Sequence, residues 1–109
     1  MPTLAQVMPN RIRQAVNLTG RARLVRNQTG FDAEHKCRYG LGIGGADLVG
    51  LLPSGRAIAI EVKTGTGHAT KEQIAWLAAF RRWGGFACIV HDEDEALAAL
   101  ARAEAGASE

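Results

Sequence analysis

The stretch "ADLVGLLPSGRAIAIEVK", residues 46 to 63, constrains the fold more than any other part of the chain. Two β-like runs flank "PSG". Pro suits the second position of a type I turn, and Gly suits the left-handed residue that completes a three-residue hairpin loop. An antiparallel hairpin is therefore predicted, with Leu52 facing Arg56 and, further out, Asp47 facing Glu61. Directly opposed residues share a sheet face, with Cβ atoms about 5 Å apart. Ala57, Ala59, Glu61 and Lys63 then line one face while Ile58, Ile60 and Val62 point to the other. The large aliphatics are expected in the core and the alanines beneath a polar site. A two- or four-residue loop without a bulge would instead set Asp47 opposite Val62, on the wrong face.

Two carboxylates held across neighbouring strands repel each other, and partial burial raises the cost. The arrangement calls for a proton, a cation or Lys63 between them. A hard divalent metal meets that need, because Mg²⁺ favours one or two carboxylates with water and phosphate oxygens completing its shell.

The other segments are read around this hairpin. Leu4 to Leu18 is a predicted helix whose first turns Pro9 disturbs, so that it starts late, near Asn10. "ARLVRNQ" is a short strand, and residues 28 to 45 are expected to be irregular, a loop length usually tied to function. In "ATKEQIAWLAAFRRWGG", Thr70 and Gln73 form a capping box and Gly84 or Gly85 stops the helix. "FACIV" is a strand. Asp92 and Glu95 repeat the capping signal before a final helix whose "GASE" tail is expected to fray. The predicted order is α-β-β-β-α-β-α in one domain, residues 1 to 109.

Residues 1 to 63 carry nine Lys/Arg and four Asp/Glu, against four and seven in the remainder, so the first half suits a polyanion such as nucleic acid. No apolar run is long enough to span a bilayer, and the N-terminus lacks the features of a secretory signal, so a cytoplasmic protein is expected. Cys37 and Cys88 lack metal-site spacing and read as reduced thiols. "GLGIGG" precedes a strand rather than following one, which argues against a dinucleotide site. Its glycines suit close backbone approach. Trp76, Phe80 and Trp83 recur near helical spacing and suit core packing or a subunit contact.

"GGAD", then "IEVK", with Gln73 in the following helix, resembles the PD-(D/E)xK nuclease superfamily and specifically its VRR-NUC branch. The likeness runs from about Leu24 through Val90, taking in "VRNQTG", "RYGLGIGGADLVGLL", the glycine hairpin, "AIEVKTGTGHATKEQ" and the helix ending "WGG". It implies an α/β (α+β) restriction-endonuclease-like core, α-β-β-β-α-β, with a mixed central sheet and a C-terminal helix. It implies Asp47, Glu61 and the Val62 carbonyl around Mg²⁺ or Mn²⁺, with Lys63 beside the attacking water and Gln73 as a further catalytic residue. The implied reaction is phosphodiester hydrolysis in DNA. The size resembles the stand-alone, phage-like members, which implies a homodimer acting on branched DNA such as four-way (Holliday) junctions or flaps. Arg38 and Tyr39 resemble a stretch that approaches substrate, with Lys36, Arg26 and His68 as further DNA contacts.

One departure stands out. Branch members usually add an acid from the first helix, yet residues 1 to 31 contain no Asp or Glu, which leaves Gln6 or Asn10 for that place in the metal shell. The alternative reading is a catalytically weak or inactive DNA-binding module on the same fold.

Overall fold

The computed structural model describes residues 1–109 apart from the side chain of Tyr39, so the DNA-contact reading of that residue lies outside what is described. The elements in order are α1 (Leu4–Leu18), β1 (Arg23–Arg26), β2 (Gly30–Asp32), β3 (Cys37–Tyr39), β4 (Leu48–Leu51), β5 (Ala57–Val62), α2 (Lys71–Arg82), β6 (Phe86–Val90) and α3 (Glu93–Glu104). A mixed four-stranded sheet runs β1-β4-β5-β6, antiparallel except for the parallel β5–β6 pair. This is the nuclease-like arrangement implied above.

The hairpin forms in the predicted register. Leu48 pairs with Ile60 and Leu51 with Ala57. The Gly55 amide donates to the Leu52 carbonyl at 2.9 Å, the Leu52 amide donates to the Arg56 carbonyl at 2.9 Å, and Gly55 takes φ +89°. That left-handed conformation is open to Gly at little cost.

Strand alternation divides the interior in two. Ile58, Ile60 and Val62 face a larger core with Met8, Ile12 and Val16 of α1 and Ala96, Ala99 and Leu100 of α3. The opposite face is not simply the floor of a polar site: Ala59 packs with Ala46, Ala87 and Leu77 of α2, and Trp76 and Phe80 lie against this second, smaller core. Small side chains on the sheet let α2 approach closely. Trp76 and Phe80 stack at 5.2 Å, while Trp83 is 90% exposed.

Three expectations are corrected. Helix α1 starts at Leu4, because Thr3 and Gln6 form a reciprocal capping box and Pro9 is accommodated inside the helix, buried between Met8 and Ile12. The first-turn groups are satisfied and the apolar stripe holds the helix across the proline. Residues 28 to 45 are not wholly irregular: β2 and β3 form a separate antiparallel pair, Gly30 with Tyr39 and Asp32 with Cys37. The C-terminal tail does not fray. The Ala87 amide donates to the Ser108 carbonyl at 3.0 Å, and Arg81 pairs with Glu109 at 3.2 Å, so the tail covers the outer edge of β6. No helix among the described residues is long and apolar enough to cross a membrane.

Candidate active site

The two acids meet where β4 begins and β5 ends. Asp47 lies one residue before β4, beyond the Leu48–Ile60 pair, and the Asn27 amide donates to its carbonyl at 2.8 Å, carrying the β1–β4 ladder one step further. Its side chain takes the place of a neighbouring strand: Oδ2 accepts the Val62 amide at 2.8 Å. Asp47 is thereby anchored to the strand that carries Glu61.

Glu61 is 1% exposed, the only charged residue type in the buried set among the described residues. Its Oε2 is buried without a hydrogen-bond partner. Burial, then hydrogen bonding and repulsion from Asp47, push its pKa up to about 8 from an ordinary 4.5, while the Lys63 ammonium and the Val62 backbone pull the other way. Desolvation dominates because a carboxylate loses its hydration on entering the sheet. In the absence of metal the pair therefore holds a proton near neutral pH.

A buried carboxyl oxygen lacking a partner, beside a second carboxylate, fits a hard divalent cation, since Mg²⁺ and Mn²⁺ take oxygen donors. Asp47 and Glu61 supply those oxygens, and Val62 stands between Glu61 and Lys63 with its amide already committed to Asp47. Lys63 follows β5, half-buried, its amide donating to the Val90 carbonyl at 3.0 Å.

The remaining candidates fall into two groups. Gln73 is half-buried in the first turn of α2, and its Oε1 accepts the Thr70 amide at 2.9 Å, completing the predicted capping box. The glycine loop reaches the same turn: a Cβ on Gly44 would come within 2.5 Å of the Glu72 carbonyl oxygen. Trp76 Nε1 donates to the Leu41 carbonyl at 3.3 Å. The close backbone approach expected of these glycines is thus with the protein itself. Gln6 accepts the Thr3 amide at 2.7 Å and Asn10 is exposed; their helix packs on the Ile58–Ile60 face, across the sheet from the Glu61 side chain. Arg26, Lys36, Arg38 and His68 are all exposed, outside the acid pair.

Sequence reading missed two features. Asn27 braces Asp47, and its only signal was a polar residue directly after a strand. Asp32, Glu34 and His35 gather within 4.8 Å at the tip of the β2–β3 hairpin. That second cluster is explained by turn chemistry: Asp32 Oδ1 accepts the Glu34 and His35 amides at 3.0 and 3.2 Å, and Oδ2 meets His35 Nδ1 at 2.6 Å. The imidazole and these amides hold the Asp32 carboxyl below its usual range.

Against known proteins, the family model described as the VRR-NUC domain matches residues 5–93 of the chain. No curated protein matches it.

Proposed function

The chain belongs to the VRR-NUC family, within the PD-(D/E)xK nucleases, and from that premise we propose that it is a metal-dependent endonuclease hydrolysing phosphodiester bonds in DNA. The observation that carries the reading is the orphaned, buried Glu61 oxygen beside Asp47. Asp47, Glu61 and the Val62 carbonyl would hold Mg²⁺ or Mn²⁺. When bound, such an ion lowers the pKa of its water and offsets charge at the reacting phosphate. Lys63 places an ammonium at the same end of β5, where it orients the nucleophile or stabilises the developing charge. Gln73, fixed by its cap, borders the glycine loop that leads into Asp47. Arg26, Lys36, Arg38 and His68 offer phosphate contacts around the centre. Branched DNA, a four-way junction or flap, is the proposed substrate, and a homodimer would let two small sites cut symmetry-related strands.

The test is a cleavage panel of labelled junction, flap and duplex DNA in Mn²⁺, with Asp47→Ala beside the wild-type chain. Metal-dependent product lost in the variant supports the proposal. Salt-sensitive binding without product supports the second reading, a non-catalytic DNA-binding module, which the absence of any acid from residues 1 to 31 favours. Sedimentation showing only monomer at working concentration would refute the dimer.

A further inference from the structure

We propose that Asn27 is the positioning residue of the acid pair, an inference that rests on the site reading above and adds a residue to it. Asn27 engages its backbone amide and both polar atoms of its side chain. Its amide donates to the Asp47 carbonyl at 2.8 Å, Nδ2 donates to the Ala46 carbonyl at 3.0 Å and to Thr29 Oγ1 at 3.1 Å, and Oδ1 accepts the Leu41 amide at 3.2 Å. The carboxamide therefore joins the base of the β2–β3 hairpin, the start of the glycine loop and Ala46 at its end, while the backbone amide holds Asp47.

Apart from Asn27, the loop is held by the Trp76 Nε1 bond to the Leu41 carbonyl, by Gly44 against the first turn of α2 and by the Gly45 amide on the Gly42 carbonyl at 3.2 Å. Gly40, Gly42 and Gly44 all take positive φ, between +83° and +87°, and lack side chains to pack. The Asp47 carboxylate is held by the Val62 amide and its C-terminal neighbour Leu48 by pairing with Ile60, while on its N-terminal side the chain arrives through this glycine-rich run and the buried Ala46. Gly45 leaves room for the brace, since a Cβ there would stand 3.0 Å from Asn27 Nδ2. Asn is the residue type the geometry needs. Asp would set a carboxylate oxygen against the Ala46 carbonyl and add negative charge next to the acids, whereas Ala would leave the Leu41 amide and Ala46 carbonyl without this partner.

The Val62 amide reports where Asp47 sits without any metal present, because Asp47 Oδ2 is its acceptor. Hydrogen exchange of that amide, taken relative to the core amide of Ile60, should quicken about tenfold or more in Asn27→Ala and in Asn27→Asp. Mn²⁺ affinity measured by calorimetry should fall by a similar factor. Asn17→Ala is the matched control. Asn17 clamps the same strand, with Nδ2 donating to the Leu24 carbonyl at 3.0 Å and Oδ1 accepting its amide at 2.7 Å, but touches nothing that leads to Asp47. It should lower overall stability while leaving the Val62-to-Ile60 ratio and the Mn²⁺ affinity unchanged. An unchanged ratio in both Asn27 variants, or an equal change in Asn17→Ala, overturns the proposal. A quickened ratio in the Asn27 variants, with no Mn²⁺ taken up by the wild-type chain, would uphold the brace and sink the metal reading instead.

Discussion

The two hairpins of this chain are built on opposite terms. The β4–β5 hairpin lies inside the sheet: its residues alternate between two cores, its loop closes with a left-handed Gly55, and its pairing leaves no freedom to slide without driving Ile58 and Ile60 into the small alanine-lined core beneath α2. The β2–β3 hairpin forms its own two-stranded sheet, with Phe31 and Arg38 opposed and exposed, and its tip is closed by Asp32 and His35 rather than by apolar packing. Buried alternation fixes a register tightly enough to hold two carboxyl groups together. A solvated pair closed by polar turns can only present side chains.

The largest test of that contrast is chemical. Asp47→Ala should reduce metal-dependent cleavage at least about a thousandfold, some 4 kcal/mol of barrier, in single-turnover assays, whereas Arg38→Ala should leave the single-turnover rate at saturating DNA nearly intact. Next is pH. Glu61, with a folded pKa of about 8 against 4.5, takes up a proton on folding. Its stabilising share is fully present below pH 4.5 and is lost as pH rises to about 8, on the order of a few kcal/mol. Metal-free melts followed from pH 5 to 8 should fall accordingly, and Glu61→Gln should flatten that slope. Third, Gly50→Ala would drive a Cβ into the Arg23 carbonyl between β1 and β4, costing about 3 kcal/mol. Gly42→Ala, with open space around it and only its φ of +87° to strain, should cost about 1 kcal/mol in denaturant titrations. The smallest effect belongs to the outer hairpin. Arg38→Ala should weaken DNA binding by less than about tenfold and lower the salt dependence by close to one counterion.

The same contrast explains what could be read from the sequence. The β4–β5 register follows from "PSG" and the alternation of Ile and Ala, so the meeting of Asp47 with Glu61 is legible in the sequence. So is the Thr70–Gln73 cap. The strands β2 and β3 span three residues each, without an apolar period to betray them. Pro9, a helix breaker by local rule, masks the Thr3–Gln6 box that starts α1 at Leu4. At α3 the Asp92 cap forms, but Glu95 reaches back to the His91 amide at 2.9 Å rather than closing a box on Asp92. The docking of Ser108 on β6 and the brace from Asn27 depend on distant carbonyls, which no local pattern encodes.

The proton on Glu61 has a thermodynamic signature of its own. At pH 7 a cation seated between Asp47 and Glu61 must expel that hydrogen into the buffer. The apparent binding enthalpy would then differ between PIPES and Tris by the difference between the two buffers' ionisation heats for each proton released, so loading the centre would be a measurable acidification even where no DNA is cut.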